Sequence, residues 1–263
     1  MVKITLKYKY IILTVAVLLI GTLTADLPFS SVWKKESAQV SFNETWPWIE
    51  IVTDVGRPDY FPDQWLEFGV KPSAEPVSSE EYERVILILM AELGKYPNSL
   101  LKNNLQQIVL GSSLTIYNIE YGATNIDNRI YITSRGKQSG FSDKYLRKTL
   151  HHELSSILIR NNKFPFDAWK NLLPKMPNGQ ESLIREVSAI KKGWKENNFT
   201  ESDLANGFVS KYGRSSIEND INTYAENLMA GNGWLDSQAD SYPIIKRKLF
   251  LIKEFYRGLG VKI

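Results

Sequence analysis

Two long segments of the chain carry hydrophobic residues at the spacing of a helix that is buried along one face. The first follows Ser78-Ser79-Glu80-Glu81, a cap residue with acids in the first turn, which is typical of a helix start. Its apolar positions are Tyr82, Val85, Ile86, Leu89, Met90 and Leu93. Gly94 and Pro97 interrupt the pattern, so we predict that this helix ends near Tyr96. Ser142 and Asp143 cap the second helix, which is predicted to run to about Asn161.

Between these helices the apolar pattern shortens to the alternation of β-strands. Strands are predicted at 105–110, 114–121 and 129–133, with turns at Gly122 and at 125–128. Residues 162–179 read as a loop, and further helices are predicted near 180–192, 202–212, 216–229 and 242–256. The order of helix, strands, helix and then mostly helices predicts an α+β fold with a small sheet in the N-terminal half.

The N-terminal quarter differs from the rest of the chain. Residues 1–25 combine a basic start with an apolar run from Ile11 to Leu23, which predicts a signal peptide or an uncleaved N-terminal anchor. We therefore expect an exported protein of the periplasm or cell envelope, associated with the membrane where the anchor is retained. Residues 26–78 are rich in Trp and Pro and predict an irregular arm, and residues 79–263 form the main domain.

The amino-acid composition excludes several kinds of binding partner and catalytic site. The 263 residues carry 32 Lys and Arg against 29 Asp and Glu, and a net charge of +3 gives no argument for a nucleic-acid partner. The chain has no cysteine, which excludes disulfides, thiolate nucleophiles and thiolate metal sites. It has only two histidines, the adjacent His151 and His152, so any histidine chemistry is confined to one place on the second long helix.

One flank of that helix collects polar side chains beside its apolar face. At 100° per residue, Thr149, His152, Glu153 and Ser156 lie together, while His151 lies on the other side of the apolar stripe. The arrangement resembles the HExxH helix of zinc metallopeptidases, in which two histidines four residues apart bind zinc and the glutamate activates the metal-bound water. His152 and Glu153 match the first histidine and the general base. The second histidine position is occupied by Ser156.

The resemblance extends downstream. Gly207-Phe-Val-Ser-Lys-Tyr-Gly213, followed by the helical segment from Ser216 to Ala225, is similar to the region that supplies the third zinc ligand in gluzincins. The similarity is greatest to bacterial exported zinc-binding metallopeptidases and covers roughly residues 80–230. It implies a zincin-like fold, with Glu218 as the third ligand and Tyr224 as an oxyanion-stabilising residue. Asp220 and Glu226 share the same helix.

The missing histidine leaves three alternatives open for the zinc site. The site is metal-free, or it binds metal through an altered set drawn from His151, His152, Glu218 and Asp220, or a partner chain or substrate completes it. The resemblance implies a zinc metallopeptidase-like protein whose peptide-bond hydrolysis is weakened or lost, because serine is a poor substitute for imidazole. The alternative is a non-catalytic cell-envelope protein that binds a peptide, a glycan or a protein partner on the same scaffold. The sequence leaves the oligomeric state undetermined.

Overall fold

The structure is a computed structural model that describes residues 38–67, 69–174 and 199–263. The predicted signal peptide or anchor and the predicted helix at 180–192 lie outside these residues. Within the described ranges, none of the helices combines the length and apolar character that crossing a lipid bilayer requires.

The longer helices and strands follow the predicted order. Short helices at Asn98–Asn104 and, inside the predicted loop, at Phe166–Lys170 were not predicted, and the helix predicted at 202–212 is only Glu201–Ala205. The helices are α1 (38–45), α2 (Ser79–Leu93), α3 (Asn98–Asn104), α4 (Asp143–Asn161), α5 (Phe166–Lys170), α6 (Glu201–Ala205), α7 (Ile217–Met229), α8 (Trp234–Ser241) and α9 (Pro243–Gly258). The strands are β1 (Glu50–Val52), β2 (Ser73–Pro76), β3 (Gln107–Ile116), β4 (Ile119–Glu120), β5 (Ala123–Ile126) and β6 (Arg129–Thr133). The predicted α+β class is therefore confirmed.

The six strands form one mixed sheet in the order β1-β3-β6-β5, with β2 and β4 also paired to β3. The strands β1, β3 and β6 run parallel, and β5 lies antiparallel to β6 at the end of this order. The central strand β3 merges the predicted 105–110 strand with the start of the predicted 114–121 strand. It continues through Gly111 because β2 supplies a partner for its second half, from Gly111 to Thr115.

Two sequence expectations for the N-terminal half need correction. The part of the arm that the structure describes contains α1, β1 and β2, so it is not irregular throughout. These strands have three and four residues, and pairing with β3 specifies them rather than an apolar pattern of their own. The predicted turn at 125–128 is also shorter than expected, because Asn125 and Ile126 pair with Ile130 and Arg129 and leave Asp127 and Asn128 as the turn.

Helix α4 occupies the centre of the molecule. Apolar side chains of β3 alternate between the two faces of the sheet: Ile108 and Leu110 join the large core with α2 and α4, while Val109 joins a smaller core on the opposite face. Helix α4 contacts α2, β5, β6 and α7. Its sequence from Lys148 to Ile159 is buried at every position, so its polar side chains need partners inside the protein.

Candidate functional site

His152 lies in a polar layer between α4 and α7. Its Nδ1 is 3.0 Å from Oε2 of Glu226, and its Nε2 is 3.3 Å from Oδ1 of Asn219. Nζ of Lys148 lies 3.3 Å from the other oxygen of the fully buried Glu226. The carboxylate of Glu226 therefore links the ammonium group of Lys148 to the imidazole of His152 and orients the ring.

Ser156 belongs to the same layer, one helical turn beyond His152. Asn222 donates from Nδ2 to the Ser156 hydroxyl at 2.6 Å, and both side chains are buried. Asn219 donates from its own Nδ2 to Oγ of Ser215 at 2.8 Å. We call the set formed by Lys148, His152, Ser156, Asn219, Asn222 and Glu226 the α4–α7 polar layer.

The first turn of α7 sets the orientation of Asn219. Ser216 caps this helix, because its hydroxyl accepts the backbone N–H of Asn219 at 3.0 Å. The cap places Asn219 in the first turn, and the tight packing of α7 against α4 turns its side chain towards His152. Asn222 and Glu226 follow at intervals of three and four residues and therefore share that face.

Glu153 lies on the sheet side of the polar flank. Its Oε2 accepts a hydrogen bond of 2.6 Å from Nδ2 of Asn125, which is part of β5. The glutamate is 8% exposed and so retains some access to solvent. The residue that the sequence proposed as a general base is therefore held at the junction between α4 and the last strand of the sheet.

Glu218 is placed differently from the sequence expectation. Its carboxylate pairs with Nη1 of Arg160 at 3.3 Å, and its side chain is 45% exposed. The side chain of the same turn that faces Nε2 of His152 is that of Asn219. Adjacent residues of a helix point 100° apart, so Glu218 lies away from His152 when Asn219 faces it.

His151 faces α2, away from the polar layer. Its Nδ1 is 2.7 Å from the hydroxyl of Tyr96, and its Nε2 is 2.6 Å from Oε2 of Glu92. Burial lowers the pKa of His151, and the hydrogen bond to Glu92 opposes this shift. The two histidines therefore contact different helices, and the altered ligand set that joined them is not assembled.

Tyr224 and Asp220 belong to a second buried cluster. The Tyr224 hydroxyl donates to the carbonyl oxygen of Gly207 at 2.9 Å, and Asp220 pairs with Nζ of Lys248 at 2.6 Å. Both groups are fully buried. Their side chains connect α7 to α9 and to the Gly207 turn, so the structure places neither the predicted oxyanion residue nor Asp220 at His152.

The sequence interpretation missed Asn219 and Asn222 as members of the site. A helical projection of α7 shows the signal that was available, since positions 219, 222, 223 and 226 fall on one face and carry polar residues. A fully buried polar face needs a complementary polar face, and Lys148, His152 and Ser156 at intervals of four supply it on α4. Asn125 had no comparable signal, because its role depends on where β5 lies relative to α4.

The buried Glu92 predicts an acid-sensitive contribution to stability. Burial disfavours its charged form, but hydrogen bonds from His151 and Lys95 outweigh that effect and lower its pKa from 4.5 to about 2. Because the folded-state pKa is below the unfolded-state value, the stabilisation is complete above pH 4.5 and is lost as the pH falls towards 2. The shift corresponds to at most about 3 kcal/mol at neutral pH.

Urea unfolding of the native protein and the Glu92→Gln variant at a series of pH values checks this expectation. The native protein should be more stable at pH 7 by about 2–3 kcal/mol, and the difference should disappear towards pH 2. A difference that stays constant from pH 7 to pH 3 would show that the Glu92 charge contributes nothing.

A comparison with solved structures relates this architecture to a known fold. The chain superimposes on a crystal structure described as that of a "putative zinc-binding metallo-peptidase" from Bacteroides caccae, with a TM-score of 0.55 and 14% sequence identity. The match covers 89% of this chain and 88% of the other. The fold is zincin-like. No protein-family profile matches the chain, and no curated protein sequence matches it either.

The zincin-like fold raises the question of whether the residues present suit zinc. Among the described residues no group of three or more His, Cys, Asp or Glu side chains is placed to hold a metal ion. Beside Nε2 of His152 lies the neutral amide oxygen of Asn219, and the neutral hydroxyl of Ser156 lies one helical turn away; both side chains are hydrogen-bonded within the protein, and the Glu226 carboxylate lies at Nδ1 instead. Zinc sites are built from imidazole, carboxylate and thiolate ligands, so this donor set does not fit a catalytic zinc ion.

Proposed function

We propose that this protein is a metallopeptidase-like binding protein, which holds an extended peptide segment of a partner along β5 and does not hydrolyse it by metal-activated water. The observation that carries the proposal is the neutral donor set at His152, where Ser156 and Asn219 lie among hydrogen bonds instead of forming a ligand group. Without the metal, Glu153 has no activated water from which to take a proton.

The position of β5 supports a peptide as the bound segment. In the described part of the chain β5 pairs only with β6, and all four of its residues are partly exposed. The two-residue turn at 127–128 makes Ile126 and Arg129 a hydrogen-bonded pair, so the backbone groups of Ala123 and Asn125 point away from β6. An extended peptide can add to such an edge through main-chain hydrogen bonds.

Export of the protein forms part of the proposal. The basic and apolar pattern of residues 1–25 is typical of a signal peptide or N-terminal anchor, which would place the domain at the periplasmic or outer side of a membrane. A partner would then be an envelope protein or a peptide in that compartment.

Binding and cleavage of β-casein, an unfolded protein that offers many extended segments, test the proposal together. Labelled β-casein should bind the full chain, and it should remain intact during long incubation with added zinc. Ala123→Pro removes an outward N–H from β5 and should weaken binding about 10-fold, the value of about one and a half hydrogen bonds.

The matched control is Ala123→Val, which changes the same side chain but keeps the N–H donor. It should bind β-casein as the native chain does. Equal binding by the proline and valine variants would contradict the peptide site on β5. Zinc-dependent cleavage of β-casein that disappears in His152→Ala would contradict the non-catalytic assignment and favour a working zinc peptidase.

A further inference from the structure

We infer that Ser156 and Asn219 are the two residues that keep metal out of this fold, and that Ser156→His combined with Asn219→Asp gives the chain a zinc site with His152. This inference concerns the metal chemistry of the α4–α7 polar layer and is independent of whether a peptide binds β5. It also assigns the third ligand position to Asn219 rather than to Glu218.

His152 is already held in the orientation that a metal ligand needs. Its Nδ1 is held by Glu226, whose second oxygen interacts with Lys148. Such a carboxylate on the far nitrogen fixes the ring and directs the other nitrogen to the metal in zinc proteins. Here that other nitrogen, Nε2, points at Asn219 at 3.3 Å.

A hydrogen bond to Ser215 orients the amide of Asn219 so that its oxygen faces His152. The Ser215 hydroxyl donates to the carbonyl oxygen of Tyr212 at 2.7 Å, so its oxygen is left to accept from Nδ2 of Asn219 at 2.8 Å. The Oδ1 atom of Asn219 is therefore the atom on the His152 side. Aspartate has the same shape as asparagine, and Asn219→Asp would put an anionic carboxylate oxygen where a weak neutral donor now lies.

Ser156 lies one turn from His152 on the face that contacts α7. Its hydroxyl reaches only as far as Asn222, which donates to it at 2.6 Å. Residues four apart on a helix are neighbours, so Ser156→His would place a second imidazole on the helical face of His152. Together with the carboxylate that Asn219→Asp introduces, the double variant would offer two imidazoles and one carboxylate, the ligand types of catalytic zinc sites.

Glu218 is the matched control for the assignment. Its carboxylate is half exposed and paired with Arg160, which lies two helical turns beyond His152. If Glu218 were the third ligand, Ser156→His alone would complete a site and Glu218→Gln would destroy it. If Asn219 holds the position, the aspartate is required and Glu218→Gln has no effect.

The experiment measures zinc affinity and stoichiometry by competition with a fluorescent chelator in four full-length proteins: the native chain, S156H, S156H/N219D and S156H/N219D/E218Q. The chain has no cysteine, so thiolates give no background. We expect one zinc per chain in S156H/N219D, bound at least about 100-fold more tightly than by the native chain. The triple variant should match it within about 2-fold. Cobalt absorption should report a tetrahedral site in these two proteins only.

Other results overturn the inference. Zinc bound equally well by S156H and S156H/N219D, and lost with E218Q, would assign the ligand to Glu218. A folded S156H/N219D protein without bound zinc would show that other features of the site exclude the metal. If circular dichroism shows that the double variant is unfolded, N219D alone decides: about 10-fold tighter zinc binding than the native chain supports the inference, and unchanged binding refutes it.

Discussion

Replacing Lys248 with methionine is expected to destabilise the protein by about 3–5 kcal/mol, a large part of the total stability of an ordinary domain. The Lys248 side chain is completely buried, and its Nζ contacts Oδ2 of Asp220 at 2.6 Å and the carbonyl oxygen of Gly207 at 2.9 Å. The ring of Phe208 lies 4.7 Å from the same ammonium group. Removing the ammonium group would leave the Asp220 carboxyl buried without its counterion.

Most of the expected loss of stability comes from leaving Asp220 buried without a partner, and less comes from the lost attraction to Lys248. Burial raises the pKa of Asp220 and lowers the pKa of Lys248, and each group opposes the shift of the other through its charge and hydrogen bond. Breaking such a pair costs more than the pair itself contributes, because the remaining charge has no water and no counterion. Trp169 Nε1 also donates to Asp220 at 2.8 Å and would be left as its remaining partner.

Chemical denaturation of three variants separates these contributions. Lys246→Met alters an exposed lysine of the same helix and should change the free energy of unfolding by no more than about 0.5 kcal/mol. The double variant Lys248→Met/Asp220→Asn carries no buried charge and should be more stable than Lys248→Met alone. A Lys248→Met protein as stable as Lys246→Met would show that the buried pair does not hold α9 to α7.

Leu150→Ala should cost about 2–5 kcal/mol, because it leaves a cavity under the helix that carries both histidines. Leu150 is fully buried and belongs to the large core. Collapse around the cavity is limited, since α4 is packed on α2, β5, β6 and α7 at once. The mutation therefore tests whether the apolar stripe of α4 is the centre of the fold.

Leu87→Ala is the matched control for this cavity. It removes the same atoms from α2, where the side chain is 60% exposed, and should change the unfolding free energy by about 0.5 kcal/mol or less. Thermal and urea unfolding of both variants would check the difference. Equal losses of stability would contradict the central position of α4.

The sequence predicted those helices and strands whose limits are marked by nearby residues, such as helix caps and turn residues. Ser142 and Ser216 cap α4 and α7 through their hydroxyls. A helix cap is a contact between residues close in sequence, so it can be predicted without knowledge of the tertiary packing. Strand β6 was predicted with its observed limits, because its apolar residues are bounded by turn residues. The short strands β1 and β2 and the helix α8 were not predicted. Three and four residues form β1 and β2, and pairing with the distant strand β3 specifies them. Helix α8 is also short, and it packs mainly against α9, the next helix along the chain.

In the candidate site, too, some features followed from the local sequence and others depended on tertiary packing. The sequence by itself determined that His152, Glu153 and Ser156 share one flank of a buried helix, because three-dimensional spacing within a helix follows directly from position in the chain. Only the tertiary structure decided that Asn219 rather than Glu218 faces His152, and that His151 turns towards Glu92. Such choices depend on how each helix is rotated about its axis, and that rotation is set by the packing of side chains from segments far apart in sequence.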